Sequence, residues 1–456
     1  MPTKSTYNVN MNAVDILNAI RNNATADYRG YVPAATADLD SIREIGAIIM
    51  DYQPLQNEFL TALINRIGRV ILSNKNYTNP LNMFKKGLVE YGESIEDIFV
   101  NIAKVAPYDI EVAETELYKR EIPDVRAAFY ILNYQKMYKA TIEQYQLRQA
   151  FLSWDGISQL ITKVVESMYA GANYDEFLTT KYMLAKNILN GRLKAIEIPQ
   201  VTAANAKTIA TKIKQASNAF EFPSTVYNNA AVMNYIVKDS QYLIINSDYD
   251  AIQDIEVLAS AFNMNKAEFL GHRVLIDSFG ELDTNRLNAL FADNADYTPL
   301  TDAEITALKS IPAVLVDVEY FQIYDNQLLF TNRFNEQGLY WNYFYHTWKI
   351  FAVSPFANAT VFVPTTPSIT SVTVSPEEAT VMPDSSIQLK AEVVTVGFAP
   401  KTVVWSVPEG AKASVNHLGV VYIDDDATAG STIVVTATST FDSTKSDTCT
   451  ITVGGE

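Results

Sequence analysis

The sequence predicts a mixed α+β protein with an all-β sandwich appended at its C-terminal end, and three stretches carry that prediction. The first is Gly338–Val363 (GLYWNYFYHTWKIFAVSPFANATVFV). Alternation puts Tyr340, Asn342, Phe344, His346, Trp348 and Ile350 on one side, and Leu339, Trp341, Tyr343, Tyr345, Thr347, Lys349 and Phe351 on the other. Aromatic and β-branched side chains suit a pleated sheet, and a strand apolar on both faces belongs mid-sheet or clamped between subunits. The second stretch holds Ile157, Leu160, Ile161, Val164, Val165 and Met168, an apolar face on a 3.6-residue period and so a helix. The third begins beyond a Pro/Thr-rich joint, where the chain turns to Val, Thr and Ser in short runs at roughly 8–12-residue spacing, the pattern of a β-sandwich.

A chain of 456 residues exceeds one compact core and divides into two or three domains. With 48% hydrophobic and 19% charged residues it is globular rather than disordered. Its 52 acidic against 35 basic residues give a net charge of −17, which argues against a surface that binds nucleic acid by neutralising phosphates. Solubility alone accounts for such a charge. The single cysteine, Cys449, excludes an internal disulfide framework and suits a reducing cytoplasm. No basic-then-apolar leader follows Met1 and no run of 18 apolar residues occurs, so neither export nor membrane insertion is expected.

In chain order, Val14, Leu17 and Ile20 form one helical stripe, Ile42, Ile45 and Ile49 another, and Phe59, Leu63 and Ile67 a third. From Arg69 to Tyr108, strand-like runs flank a middle rich in Asn, Gly, Pro and Ser (SNKNYTNPLNMFKKG), which reads as a long two-stranded excursion. Ala127–Ile142 reads as strand. The helix begun near Ile157 is expected to break at Gly171 and continue over Tyr174–Leu189. Between Ala195 and Phe330, helices marked by Ile209, Ile213, Ala216 and Phe220 and by Ile252, Ile255, Leu258 and Phe262 alternate with strands YLIIN and HRVLIDSF. Ala313–Phe330 is expected to pair with the opening stretch as a hairpin turning near Asp325 and Asn326. Pro355 is expected to end that ladder, and Ala359–Val363 to resume it.

The succession VLVD, YFQIYDN, GLYWNYFYHTW and SPFANATVFV, preceded by DILNAIRNN, YVPAATA, NPLNMFKKG, YKREIPDV, AFLSWDG and VLASAFNMNKAEFLG, resembles the major capsid proteins of small short-tailed, phi-29-like bacteriophages over almost the whole chain to Val363. The resemblance implies the Hong Kong 97-type shell fold. It divides the chain into an N-terminal arm (1–68) lying across neighbours, an extended loop (69–110) reaching the next subunit, a peripheral domain with the spine helix (111–194 and 331–363) and an axial domain (195–330). A linker (364–369) leads to residues 370–456, whose VSP, VVWSV and closing TITV runs resemble the bacterial group-2 immunoglobulin-like domain, with Trp405 in its core. Four lysines and eleven acids give this tail a net −7, suited to a linker-hung decoration outside a shell.

Nothing reads as a catalytic site: GxxxxGK[ST], HExxH, GxSxG and paired CxxC are all missing from the sequence, so no enzyme, cofactor or metal is expected. His272, His346 and His417 sit in different regions and read as core or surface residues. Asp424, Asp425 and Asp426 lack the alternating spacing of a calcium loop and read as a polar turn. The residues singled out for contact between subunits are Phe84, Lys85 and Lys86, the lysines either meeting acids on a neighbour or forming a solvated pair. Trp154, Trp341, Trp348 and Trp405 are the expected core anchors. The resemblance implies many copies of the chain as its first partner, with a separate scaffolding protein, a portal protein and non-specifically packaged DNA. Host-surface glycans are a candidate ligand of the tail. An encapsulin-like compartment, and a bacterial adhesin or carbohydrate-binding protein with an immunoglobulin-like tail, are the competing readings; the adhesin needs an export signal.

Overall fold

A computed structural model describes residues 13–70, 77–89, 94–103, 105, 123–152, 156–259, 272–294 and 297–455. Its contacts divide the chain into two compact units. One holds Met1–Ser94, Ile131–Phe177 and Ile323–Phe351; the other holds Ile95–Tyr130, Leu178–Gln322 and Ala352–Glu456.

The first unit opens with helices α1 (Ala13–Asn23), α2 (Ala26–Tyr31), α3 (Leu39–Asp51) and α4 (Gln53–Val70). Thr25 and Asp38 cap α2 and α3 by accepting from backbone N–H groups, each cap contributing about 1 kcal/mol. The stripes read from sequence point inward: Leu17, Ile20, Ile42, Ile45, Ile49 and Phe59 share one core with Phe151, Val164, Met168, Trp341, Tyr343 and Tyr345. The segment expected to lie across neighbours thus builds the chain's own core over its described residues, because its apolar stripes find a large aromatic face to cover. Four strands form the sheet of this unit, in the order β1-β9-β10-β4. Counting strands along the whole chain, β1 is Lys85–Leu88, β2 Ile95–Val100, β3 Val125–Tyr130, β4 Tyr134–Glu143, β5 Lys194–Glu197, β6 Gln241–Asn246, β7 His272–Ile276, β8 Ala313–Asp317, β9 Phe321–Asn335, β10 Tyr340–Val353 and β11 Ala359–Val363. The opening stretch, β10, is an inner strand, antiparallel to β4 from Tyr340↔Glu143 to Lys349↔Tyr134. Its Trp341, Tyr343, Tyr345, Thr347 and Lys349 face is buried, whereas Asn342, Phe344, His346 and Trp348 are half-buried.

Several expectations shift. Asp325 and Asn326 lie buried inside β9 rather than in a turn, and the β9–β10 connection falls after Asn335. β8 pairs with β6 and β11, and β11 does not rejoin β10 but runs antiparallel to β8 and parallel to β5. The capping-box helix α5 (Gln144–Ala150) precedes α6, which runs unbroken from Gly156 to Leu189 through Gly171. A helical glycine costs only about 1 kcal/mol, less than packing on both sides of it returns. The single strand expected over Ala127–Ile142 is divided into two, β3 and β4, which belong to different sheets.

In the second unit a sheet of order β5-β11-β8-β6-β7 is flanked by α7 (Ala206–Ala219) and α8 (Ser247–Ala259), followed by α9 (Thr284–Leu290) and α10 (Asp302–Lys309). Ile209, Ile213, Ala216 and Phe220 pack with Leu243, Ile245 and Leu315, as their spacing predicts. The tail is a sandwich built on four strands in the order Glu378–Val381, Ser446–Val453, Thr432–Ser439 and Val403–Ser406, with strands Ser368–Ser375 and Lys390–Val396 paired as a second layer. Cys449 is a buried free thiol in its core, beside which Trp405 is half-buried. The tail is not merely hung from a linker. Thr366 donates to Glu197, Lys194 Nζ sits 4.9 Å from the Phe441 ring centre, and Gly191 (φ +64°) abuts Ala399 and Lys401.

Candidate functional site

The β2–β3 hairpin of the second unit has two unlike faces. Register pairs Ile98 with Ala127, Val100 with Val125 and Glu96 with Phe129. On one face, Ile98, Val100, Val125 and Phe129 are 56%, 58%, 54% and 64% exposed. The other face is fastened to its own chain. Asp97 accepts from Tyr130 (2.8 Å) and from Ser354 (2.7 Å), and Phe99 stacks on Phe356 at 5.6 Å. Asn101 donates to Asp124 and accepts from the Met233 amide, while Arg126 pairs with Asp124 and donates to the Ala230 carbonyl. A rooted hairpin presenting a row of exposed apolar side chains is a built contact surface, since isolated exposed apolar residues need no partner but contiguous ones do. Phe222, Val226, Tyr235 and Val237, on the segment that receives the hairpin root, are likewise more than half exposed.

The two-stranded excursion is expected over 69–108, and the resemblance implies an extended loop over 69–110; the described strands of this hairpin are 95–100 and 125–130, and residues 71–76, 90–93, 104 and 106–122 lie outside the described residues. The alternation in IEDIFV and VRAAFY signals two strands, but nothing in either run names the other as its partner across the intervening residues.

Phe84, Lys85 and Lys86 belong to the first unit. Phe84 is fully buried and Lys86 half-buried. The acids that Lys85 meets are its own chain's: Asp325 at 2.6 Å and Glu176 at 3.5 Å. Lys349 joins them, paired with Glu176 and 3.0 Å from Asp325, and Asn79 donates to Glu176 at 3.0 Å. Two lysines and two carboxylates thus form a neutral cluster from β1, α6, β9 and β10, buried except at Lys85, which is half-buried. Burial alone would raise the Glu176 carboxyl; Lys349 and Lys85, with hydrogen bonds from Lys349 and Asn79, hold it below the usual carboxylate range. Burial would likewise lower Lys85, but Glu176 and Asp325 raise it. Beside it in the same unit, the Tyr345, Phe330 and Tyr169 rings pack mutually, Tyr345 at 4.5 Å from each of the others and those two 5.3 Å apart. Among the core anchors, Trp341 is 1% exposed, Trp348 half-buried, and Trp154 lies outside the described residues. The cluster was missed because Lys349 and Asp325 look like ordinary polar positions until the fold brings Glu176 to them.

No group of three or more His, Cys, Asp or Glu among the described residues is arranged to hold a metal, and no described helix is long and apolar enough to cross a membrane. His272 stacks on Tyr242, and Asp426 pairs with Lys412 at a turn of the tail.

Comparison with known proteins bears on all of this. The model of the family described as phi29-like phage major capsid protein matches residues 17–363, and that of the bacterial Ig-like domain (group 2) matches residues 368–451. The major capsid protein of Bacillus phage PZA is 35% identical over 402 residues, covering 87% of this chain and 83% of that protein. That of Bacillus phage B103 is 35% identical over 429 residues (92% and 89%), and that of Streptococcus phage Cp-1 is 28% identical over 363 residues (76% and 92%). The capsid structure of Staphylococcus phage Andhra shares the fold at a TM-score of 0.50 and 14% identity, over 65% of this chain and 86% of that one. A family match across most of the chain, relatives alike over nearly their full length and a shared capsid fold leave one conclusion: the chain belongs to the phi29-like phage major capsid proteins and carries a group-2 bacterial Ig-like domain at its C-terminal end.

Proposed function

We propose that copies of this chain close into the shell of a phage head chiefly through the exposed face of the β2–β3 hairpin, which lies against the neighbouring copy. The exposed row Ile98, Val100, Val125 and Phe129 on a hairpin whose other face is already engaged carries this reading. Each of these side chains is about half exposed, so burying the remainder contributes roughly 1 kcal/mol apiece, about 4 kcal/mol per hairpin. Association costs about 4–15 kcal/mol, so one such contact holds no stable pair. Many contacts closed around a shell do, and weak single contacts let misplaced copies leave during assembly. A separate scaffolding protein and a portal protein are the partners such assembly calls for. Packaged DNA meets a chain of net −17, to which it adheres weakly. The tail, fixed to its own chain at Gly191 and Lys194, is displayed on the outside, where host-surface glycans are its candidate ligand.

The test is Val100→Asp with Phe129→Asp in the full chain, expressed with the scaffolding protein of its phage. Expected are a folded chain with unchanged circular dichroism and no shells by electron microscopy. Normal shells from the double variant would overturn the reading.

A further inference from the structure

Resting on the assembly reading, we infer that residues 222–237 are the surface on which the hairpin row of a second copy of this chain is seated. A row that met the same row on another copy would close a pair and, through that surface, offer a third copy nothing. Chains that continue around a shell need a second, different surface on every copy. In the second unit, outside the hairpin and the tail, the exposed large hydrophobic side chains among the described residues are Phe222, Val226, Met233, Tyr235, Val237 and Leu275. All but Leu275 fall in this one segment. Phe222 and Tyr235, at 69% and 57% exposure, are of the aromatic type enriched where proteins meet, and Phe129 of the row gives them a ring to pack on.

The segment is built to hold those side chains outward. Its polar groups are satisfied within its own unit: Ser224 and Asn234 bridge each other, the Asn228 side chain bonds both the amide and the carbonyl of Val232, and the Tyr227 ring packs on the buried Phe220 at 4.8 Å. It also shares a root with the hairpin, the crossover 354–358 (SPFAN) between β10 and β11. Toward the hairpin, Ser354 donates to Asp97 and Phe356 stacks on Phe99. Toward the segment, the Pro355 carbonyl accepts from the Ala230 amide (3.0 Å), the Phe356 carbonyl from Asn234 (2.9 Å), and the fully buried Asn358 from Asn228 (3.0 Å). One short crossover thus fastens the inserting surface and the receiving surface to each other. Apolar contact is non-directional, so the angle between successive copies is set by this fixed relation within each chain.

The experiment uses the full chain expressed with the scaffolding protein of its phage. Two single-site variants, Val100→Cys and Tyr235→Cys, are produced together and their particles treated with a short flexible bis-maleimide; Cys449 is buried and does not compete. Chains joined from the Val100 position of one to the Tyr235 position of another are expected to dominate the cross-linked pairs, read by peptide mass spectrometry. Particles without that pair would overturn the inference, whether the Val100 positions join each other or the Tyr235 position joins only the scaffolding protein. Phe222→Asp with Tyr235→Asp is the second variant and changes two exposed side chains. Its circular dichroism is expected to be unchanged and its yield of shells by electron microscopy to fall several-fold; a normal yield would also overturn the inference. Should this variant not fold, the cross-link decides alone. Failure of the assembly reading looks different. If the Val100→Asp, Phe129→Asp chain builds no shells while this one builds them normally, only the receiving surface is misplaced; if both build normal shells, the assembly reading itself fails.

Discussion

Replacing Lys349 alone by Met should destabilise the first unit far more than replacing it together with Glu176. The Lys349 side chain is 6% exposed and pairs with Glu176 and with Asp325, at 3.0 Å from the latter. With it gone, Lys85 faces two buried carboxylates and the cluster carries one uncompensated negative charge. Breaking a buried pair from one side costs about 3–5 kcal/mol. At about 2–4 °C per kcal/mol for a unit of this size, the melting transition should fall by on the order of 10 °C. Lys349→Met with Glu176→Gln restores neutrality, and the Gln carbonyl can still accept from Asn79, so most of the loss should return. Differential scanning calorimetry of the full chain compares the parent, Lys349→Met, Glu176→Gln and the double variant. The pH dependence follows in sign. Glu176 is held below its ordinary value, so its contribution is present above the free carboxylate range and is lost as pH falls through the lower folded value. Lys85 is raised, so its contribution holds below the ordinary lysine pKa and is lost only as pH rises past the raised value. The double variant should therefore be less sensitive to acid than the parent. A Lys349→Met chain that melts with the parent, or losses that simply add in the double variant, would refute the reasoning.

Other consequences are open to simpler measurements. Gly46 packs so closely that an added Cβ would lie 2.6 Å from the Phe151 ring, so Gly46→Val should cost about 1–3 kcal/mol, read as a lower urea midpoint. Phe59→Ala, at a fully buried ring 5.5 Å from Phe151, should cost about 3–5 kcal/mol by the same measurement. Gly191→Gln would drive a Cβ to 2.4 Å from the Ala399 carbonyl oxygen, and should loosen the tail from its seat. Faster proteolysis within 364–367, with the separated tail still folded, is the expected sign; an unchanged cleavage rate would contradict it.

Periodicity made the regular parts of the chain legible. The Ile42, Ile45 and Ile49 stripe, the α7 face and the two-faced β10 all sit where their spacing puts them, because a 3.6- or 2-residue repeat leaves little choice of buried side. What spacing could not supply was partner identity. Asp325 next to Asn326 has the chemistry of a turn, and only two lysines brought from β1 and β10 make the interior tolerable to it. Ala359–Val363 looks like β10 resumed, yet the five residues after Val353 carry it to another sheet, a choice no local pattern encodes. The N-terminal helices show the same limit. Their stripes signalled a need for cover, and whether the chain itself or a neighbour supplies it depends on a distant aromatic strand.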